Sequence, residues 1–428
     1  MKKHKAIAYA IFTGSNYIGC MNTGRFEQDT ILENSDACLE GNSMHLAGCT
    51  ANLKIVKPSE WKEENYLENH PSCGCDYFYA NPNCSGLSRI NRNANADHYR
   101  NFSLNESVDI IDKLGPKTFF IENAPTLSSQ TGWPILTRMA EVLGENYTFN
   151  VTRDYGKFHN VPMGRHRTLV TGYRRDVFDN KTFKLPHKVV TTKKLLEEVG
   201  SDLMPQDVGV FNYEPFTHDM IQIVEQNFEI FQEIIEKYQK KFTILSIILS
   251  THPRNINKAL EESYDWDTII RKTKMENDKH KDSIIRDIDR KIVKLAGGGG
   301  VWDKSPTLIH KDVQMGISLT AMAIMYNYEE RRLFNIREYA NMMGYPNDFV
   351  FKPGVTIGHI AQGVPANFAQ YVHEHIANVL DNPQGNVESV DADAVVQLNN
   401  AKEARTAAVD LERFKILGNI NSAFVKGE

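Results

Sequence analysis

The chain lacks any long apolar run. No stretch approaches the roughly 18 consecutive apolar residues of a membrane-spanning helix, and the longest candidate, Phe242 to Leu249, is far too short. The start, MKKHKAIAYAIFTGSN, has a basic head and an apolar stretch but no small-residue cleavage site after it. It is read as a first buried strand running into a turn, not as a signal peptide. Cysteine is missing after residue 84: all six (Cys20, Cys38, Cys49, Cys73, Cys75 and Cys84) lie before that point. A disulfide framework would be spread more evenly and would sit in a shorter chain. Cys73 and Cys75 stand one residue apart, which fits no common zinc spacing. No metal is expected, and a reducing, cytoplasmic compartment is. An excess of positive charge is also missing: the net charge of −5 excludes a protein that coats nucleic acid by bulk charge. A local basic groove is still allowed, because Arg271 to Lys294 holds nine Lys/Arg against five Asp/Glu.

What remains is ordinary globular material, 428 residues with 41% hydrophobic and 24% charged, enough for two or three domains. Strand-like runs at Ala6 to Phe12, Tyr77 to Ala80, Thr118 to Ile121 and Thr168 to Gly172 alternate with helical stretches such as Val108 to Leu114 and Trp133 to Leu143. That alternation predicts a mostly parallel α/β sheet with helices on its faces. Ligands of such sheets collect at the carboxyl ends of the strands. After about residue 179 the pattern changes. Ile221, Val224, Phe228, Phe231, Ile234, Ile235 and Tyr238 recur at helical spacing. A charged helical stretch from Trp266 to Leu295 stops at the glycines of 297–300. Residues 381–398 read as an acidic loop, and Ala401 to Leu417 as a last helix.

Four places can carry chemistry. Cys84, in NPNCSGLSRINRN, sits in a loop just after an apolar strand. A thiol there is placed to attack a ligand, but a free thiol of pKa ~8.5 needs activation near neutrality. Taken alone, such a cysteine is more often a small buried hydrophobe. Glu122, in FFIENAPTL, stands at a strand tip, where a carboxyl can serve as an acid; alone it reads equally as a loop or cap carboxylate. Arg165 and Arg167, in VPMGRHRTLVTG, alternate along a strand start and so share a face. Paired guanidiniums suit an anionic or carbonyl-rich ligand, although a surface edge would look the same. Finally, a glycine turn in IFTGSNYIG is followed about twenty residues later by Glu33, the layout of a nucleotide site.

Order and spacing together resemble the cytosine-5 DNA methyltransferase family, over roughly residues 1–178 and 301–380. The family's Phe-x-Gly cofactor turn is similar to Phe12-Thr13-Gly14, and its ribose acid to Glu33. Its Pro-Cys nucleophile loop looks like Asn83-Cys84, preceded by Pro82. Its Glu-Asn-Val motif looks like Glu122-Asn123-Ala124, with Leu127 behind. DYGKFHNVPMGRHR carries Arg165 and Arg167. RRLFNIREYANMMGYPNDF places Arg337, Glu338 and Pro346, and Gln362-Gly363-Val364-Pro365 resembles the family's closing motif. The departures are Asn83 for proline, Asn16 for a turn glycine, Met163 for glutamine, Gln362 for asparagine, and no acid before Phe12.

The resemblance implies a Rossmann-like, S-adenosylmethionine-dependent methyltransferase sheet with an inserted, largely helical target-recognition domain. It implies a catalytic domain at 1–178 and 301–380, target recognition at 179–300, and a C-terminal extension at 381–428. Cys84, Glu122, Arg165 and Arg167 would be catalytic. Phe12, Thr13, Gly14, Glu33, Pro82, Gln362 and Gly363 would bind S-adenosylmethionine, and the partner would be double-stranded DNA, as in restriction-modification or phage self-protection. The alternatives are an altered donor such as carboxy-S-adenosylmethionine, an RNA acceptor, or a DNA-binding homologue that has lost catalysis.

Overall fold

Alternate side chains along the central strands face two different helix layers, and this two-sided burial fixes the fold. The computed structural model of the protein describes residues 3–12, 14–33, 53–60, 74–88, 91, 93–154, 163–164, 167–185, 225, 228–229, 232, 242–243, 307–308, 315–316, 325–327, 332–333, 336–346, 349, 360, 362–383, 387–390, 394–398 and 422–426. The chain divides into two compact units, one of residues Met1–Thr191, Asn341–Val355 and His359–Glu428, the other of Thr192–Ala340 and Thr356–Gly358.

The first unit is built on a nine-stranded sheet. Its strands are β1 (His4–Tyr9), β2 (Phe26–Leu32), β3 (Lys54–Val56), β4 (Tyr77–Ala80), β5 (Thr118–Asn123), β6 (Tyr147–Asp154) and β7 (Arg167–Arg174). A two-residue strand β8 (Thr182–Phe183) pairs with β9 (Ser389–Val390) outside it. The last two strands of the main sheet are β10 (Ala394–Leu398) and β11 (Ser422–Lys426). The spatial order is β11-β10-β6-β7-β5-β4-β1-β2-β3. All neighbours run parallel except β7, which is antiparallel to both β5 and β6. This is the expected Rossmann-like α/β sheet.

Strands covered on both faces are apolar throughout, and every residue of β4 and β5 is buried. Phe78, Ala80, Phe119 and Ile121 pack with Leu104, Val108 and Ile111 of α2 (Phe102–Leu114) and with Ile135, Leu136 and Met139 of α3 (Trp133–Leu143). Each large side chain so buried contributes roughly 1.5–3 kcal/mol. α2 ends at Gly115, whose φ of +56° gives the left-handed cap that glycine adopts without strain.

The intervening residues Tyr77, Tyr79 and Phe120 point the other way, to α1 (Ser15–Asn22) and α4 (Ala366–Asp381), and their rings surround His373 of α4. His373 is fully buried and satisfied on both nitrogens. The Tyr77 hydroxyl donates to Nδ1 at 2.8 Å, and Nε2 donates to Asn16 Oδ1 at 2.9 Å, which fixes the neutral tautomer. α1 and α4 approach so closely that a Cβ on Gly19 would lie 2.4 Å from the Ala366 carbonyl oxygen and 2.6 Å from Ala369 Cβ.

Two expectations are corrected. The first strand ends at Tyr9, not Phe12, because Ala10 and Phe12 take positive φ (both 52°) and turn the chain out of the sheet. The acidic loop expected at 381–398 contains β9 and β10; the short AVVQL run pairs in register with β6, from Ala394 opposite Phe149 to Leu398 opposite Arg153. Its flanking acids hid a strand that β11 covers on its other side. The expected helix at Ala401 to Leu417, the basic tract and the glycine run lie outside the described residues.

In the second unit, short strands at Phe242–Thr243, Thr307–Leu308, Met325–Asn327 and Arg332–Leu333 form a four-stranded sheet. Within the helix expected at 221–238, residues 225, 228, 229 and 232 are described, all helical, with Phe228 buried. No described helix is long and apolar enough to cross a membrane.

Substituting Gly19→Val should lower stability by about 1–3 kcal/mol, through forced separation of α1 and α4, read as a drop in the urea midpoint. Acid should also weaken the fold. Burial pushes His373 down to about 3 and His375 down to about 4, so both stay neutral when folded. Once unfolded they charge below the ordinary value of about 6.5. The unfolded chain then binds more protons, and stability should fall as pH drops from about 6.5 toward 4. Urea midpoints across that window should fall less steeply for His373→Gln.

Candidate active site

The carboxyl ends of β4, β5 and the amino end of β7 meet at one place, because β7 runs against its neighbours. Glu122 sits at the tip of β5, 2% exposed. Leu169 of β7 is its direct cross-strand partner, so Arg167, two residues earlier, lies on the same face on the diagonal. Arg167 Nε stands 2.5 Å from Glu122 Oε1, an ion pair whose angle falls short of a hydrogen bond. The other carboxylate oxygen, Oε2, accepts from Asn81 Nδ2 at 2.5 Å. Asn81 directly follows β4, and its own N–H donates to the Tyr9 carbonyl at 3.2 Å. Glu122 is thus gripped on both oxygens by groups from the two strands flanking its own.

The loop carrying Cys84 is tied to the same strand tip. Asn123 Nδ2 donates to the Pro82 carbonyl at 3.1 Å, and the Thr126 hydroxyl donates to the Leu87 carbonyl. Cys84 lies between those two anchors, half-buried, with a free thiol packed against the core. The departure at Asn83 has a local reason. Its Oδ1 accepts from Ser85 N at 2.9 Å, an Asx turn that fixes the loop as a proline ring would. Its backbone N–H donates to Ser103 Oγ of α2 at 3.0 Å, a bond proline cannot make. Gly86 is required next, since a Cβ there would lie 2.2 Å from Asn101 Oδ1.

At the ends of β1 and β2, the backbone turns through positive φ at Ala10, Phe12 and Gly14 (83°) before α1 begins. For the two non-glycines this costs roughly 1–3 kcal/mol each. Glu33 follows β2 and is 2% exposed; its N–H donates to the Val56 carbonyl at 2.9 Å. The first turn of α1 buries Ser15 Oγ and Asn16 Nδ2 with no hydrogen-bond partner among the described residues. Two orphaned polar atoms at a helix start, beside a strained turn and a buried acid, fit the polar parts of a nucleoside-bearing donor. Asn16, where the family has glycine, bonds His373 through its other amide atom and ties this turn to α4. Gln362 and Gly363 lie in the turn just before α4, where Gly363 N donates to the Ile360 carbonyl at 3.2 Å.

Of the residues expected at the site, the structure joins Glu122 to Arg167 and ties the Pro82–Cys84 loop to the same strand tip. Phe12, Gly14 and Glu33 stand at the ends of β1 and β2; Thr13 and Arg165 lie outside the described residues. Asn81 was missed. The available signal was its position, a carboxamide at the carboxyl end of a buried strand, three residues before the cysteine. Among the described residues, no group of three or more His, Cys, Asp or Glu is placed to hold a metal.

The family model described as C-5 cytosine-specific DNA methylase matches residues 52–378. Among curated relatives, the chain is similar to the type II methyltransferase M.MthTI of Methanothermobacter thermautotrophicus, 29% identical over 152 residues. That match covers 34% of this chain and spans 42% of the relative's length. The type II methyltransferase M.PspPI of Psychrobacter sp. (strain TA137) is 21% identical over 344 residues, covering 77% of this chain and 71% of the relative. Among solved structures, a putative DNA modification methyltransferase encoded within an E. coli prophage shares the fold, with a TM-score of 0.54 at 13% identity, covering 89% of this chain and 100% of that one.

Removing Arg167 alone leaves the Glu122 carboxyl buried without its cation. Arg167→Leu should therefore destabilise the fold by about 3 kcal/mol or more. The double variant Arg167→Leu, Glu122→Gln should lose less than that single one, as read from urea midpoints in a double-mutant cycle.

Proposed function

The chain belongs to the C-5 cytosine-specific DNA methylase family, and from that membership we propose that it methylates carbon 5 of cytosine in double-stranded DNA through a covalent adduct on Cys84. The observation that carries the reading is the tie between the Cys84 loop and the tip of β5, where Arg167 and Asn81 hold Glu122. A nucleophile and a fixed carboxyl side by side suit attack on a polarised ring.

Cytosine in a duplex hides carbon 6 from any side chain, so the base must leave the stack, at a cost of a few kcal/mol. The Cys84 thiolate adds to carbon 6, forming the S–C6 bond and sending the ring electrons toward carbon 5. Glu122 holds ring nitrogen 3 and places a proton there as charge develops. Arg167 orients Glu122 and, with Arg165, offers donors to the base carbonyl and nearby phosphate. S-adenosylmethionine, when bound, supplies the methyl group that carbon 5 takes. A base then removes the carbon-5 proton, the C5=C6 bond re-forms, and the Cys84 sulfur departs as thiolate. Phe12, Thr13, Gly14, Glu33, Pro82, Gln362 and Gly363 would hold that donor, with Ser15 and Asn16 supplying the orphaned polar atoms described above. The insert at about 179–300 would read the DNA sequence, its basic tract neutralising phosphates while loops contact bases. The work would be done in the cytoplasm.

Mass spectrometry of nucleosides from DNA and RNA incubated with the full chain and S-adenosylmethionine tests this directly. The expected product is 5-methylcytosine in DNA. Product in RNA only, or only with a modified sulfonium, would select one of the other readings. Cys84→Ser should reduce the product by at least about a thousandfold, with the melting temperature kept; equal activity in that variant contradicts covalent catalysis by Cys84.

A further inference from the structure

We propose that Asn81 is a specificity-determining residue: its Oδ1 accepts a hydrogen bond from the exocyclic 4-amino group of the target base and so separates cytosine from 4-oxo pyrimidines. The inference rests on the cytosine reading above and names a group in that site which reads the base.

Asn81 is 3% exposed. Its Nδ2 is committed to Glu122 Oε2 at 2.5 Å, while its Oδ1, completely buried, has no hydrogen-bond partner among the described residues. An orphaned buried carbonyl is destabilising, and such groups in native proteins call for an explanation. While Glu122 is ionised beside Arg167, the amide cannot be turned over, since that would set its oxygen against a carboxylate oxygen. It cannot swing away without releasing Glu122, and its backbone is pinned by the bond from its N–H to the Tyr9 carbonyl. Oδ1 is geminal to the nitrogen that touches Glu122, so it stands beside the carboxyl on covalent grounds alone. A base held by Glu122 would lie close enough for its neighbouring substituent to meet Oδ1.

The chemistry of that neighbour follows. Oδ1 can only accept. Cytosine presents a donor at position 4, next to the ring nitrogen that Glu122 would hold, whereas uracil and thymine present a second acceptor. A site that satisfies a buried acceptor with the correct base and leaves it facing an acceptor with the wrong one discriminates strongly. Pairing with the target also ends the orphaned state, so the cost carried by the free protein is relieved only when cytosine is bound.

The test is a cycle in which donor and acceptor are removed separately. Duplexes carry cytosine, pyrimidin-2-one (which lacks the 4-amino group) or uracil at the target position found by methylation sequencing, each opposite an abasic site so that the cost of breaking a base pair does not differ among them. Affinity and covalent-adduct yield are measured for the parent chain and for Asn81→Ala. The parent should prefer cytosine over both analogues. In Asn81→Ala the preference for cytosine should shrink by about tenfold or more, the effect of one lost buried hydrogen bond, while binding of pyrimidin-2-one changes much less. Equal losses on all three duplexes overturn the proposal, because they mean that Asn81 serves only to position Glu122. If Asn81→Ala does not fold, the parent alone still decides: undiminished binding of the pyrimidin-2-one duplex overturns the proposal. A parent chain that forms no adduct even with cytosine overturns the cytosine reading itself, a result distinct from either.

Discussion

The carboxyl group of Glu122, clamped from both sides at the tip of a central strand, is the interaction on which the rest of the site depends. Arg167 can reach it only because β7 runs antiparallel to β5 and brings its first residue to the strand tip. Asn81 can reach it only because β4 runs parallel to β5 and ends alongside it. A carboxylate at 2% exposure is costly to bury unless it is paired. The clamp therefore stabilises the fold and orients the group at once, and the sheet topology is what supplies the two partners.

The two helix layers support different parts of the strand-end region. α2 and α3 pack under β4 and β5, and α2 supplies Ser103 to the Cys84 loop. α1 and α4 cover the opposite face, and His373 joins Asn16 at the start of α1 to Tyr77 of β4. The buried imidazole thus connects the strand that leads into the Cys84 loop with the helix that begins after the Phe12–Gly14 turn.

Much of this was legible in the residues. Tyr77–Ala80 and Trp133–Leu143 form the elements that their apolar patterns predict. The strand-tip position of Glu122 followed from the apolar run before it, and strand periodicity put Arg165 and Arg167 on one face toward an anionic or carbonyl-rich ligand; the ion pair of Arg167 with Glu122 comes from the fold. What could not be read depends on tertiary partners. Asn83 and Asn16 look like losses of a proline and a glycine; in the fold each makes bonds to residues far along the chain, Ser103 and His373. The positive φ at Ala10 and Phe12 cut the first strand short, which no propensity of alanine or phenylalanine signals. β10 was hidden because its five residues are ordered by pairing between β6 and β11, far along the chain, and not by a pattern of their own.

The central claim is that Cys84 and the clamped Glu122 share one base-sized site. A crystal structure of the full chain with S-adenosylmethionine and a duplex carrying 5-fluorocytosine at the target position tests it most directly, since fluorine stands in place of the carbon-5 proton and the methylated adduct cannot eliminate the cysteine. The account predicts a base turned out of the helix, its carbon 6 bonded to Cys84 Sγ and its ring nitrogen 3 on Glu122. A target base still stacked in the duplex, or one held away from Glu122, would contradict it.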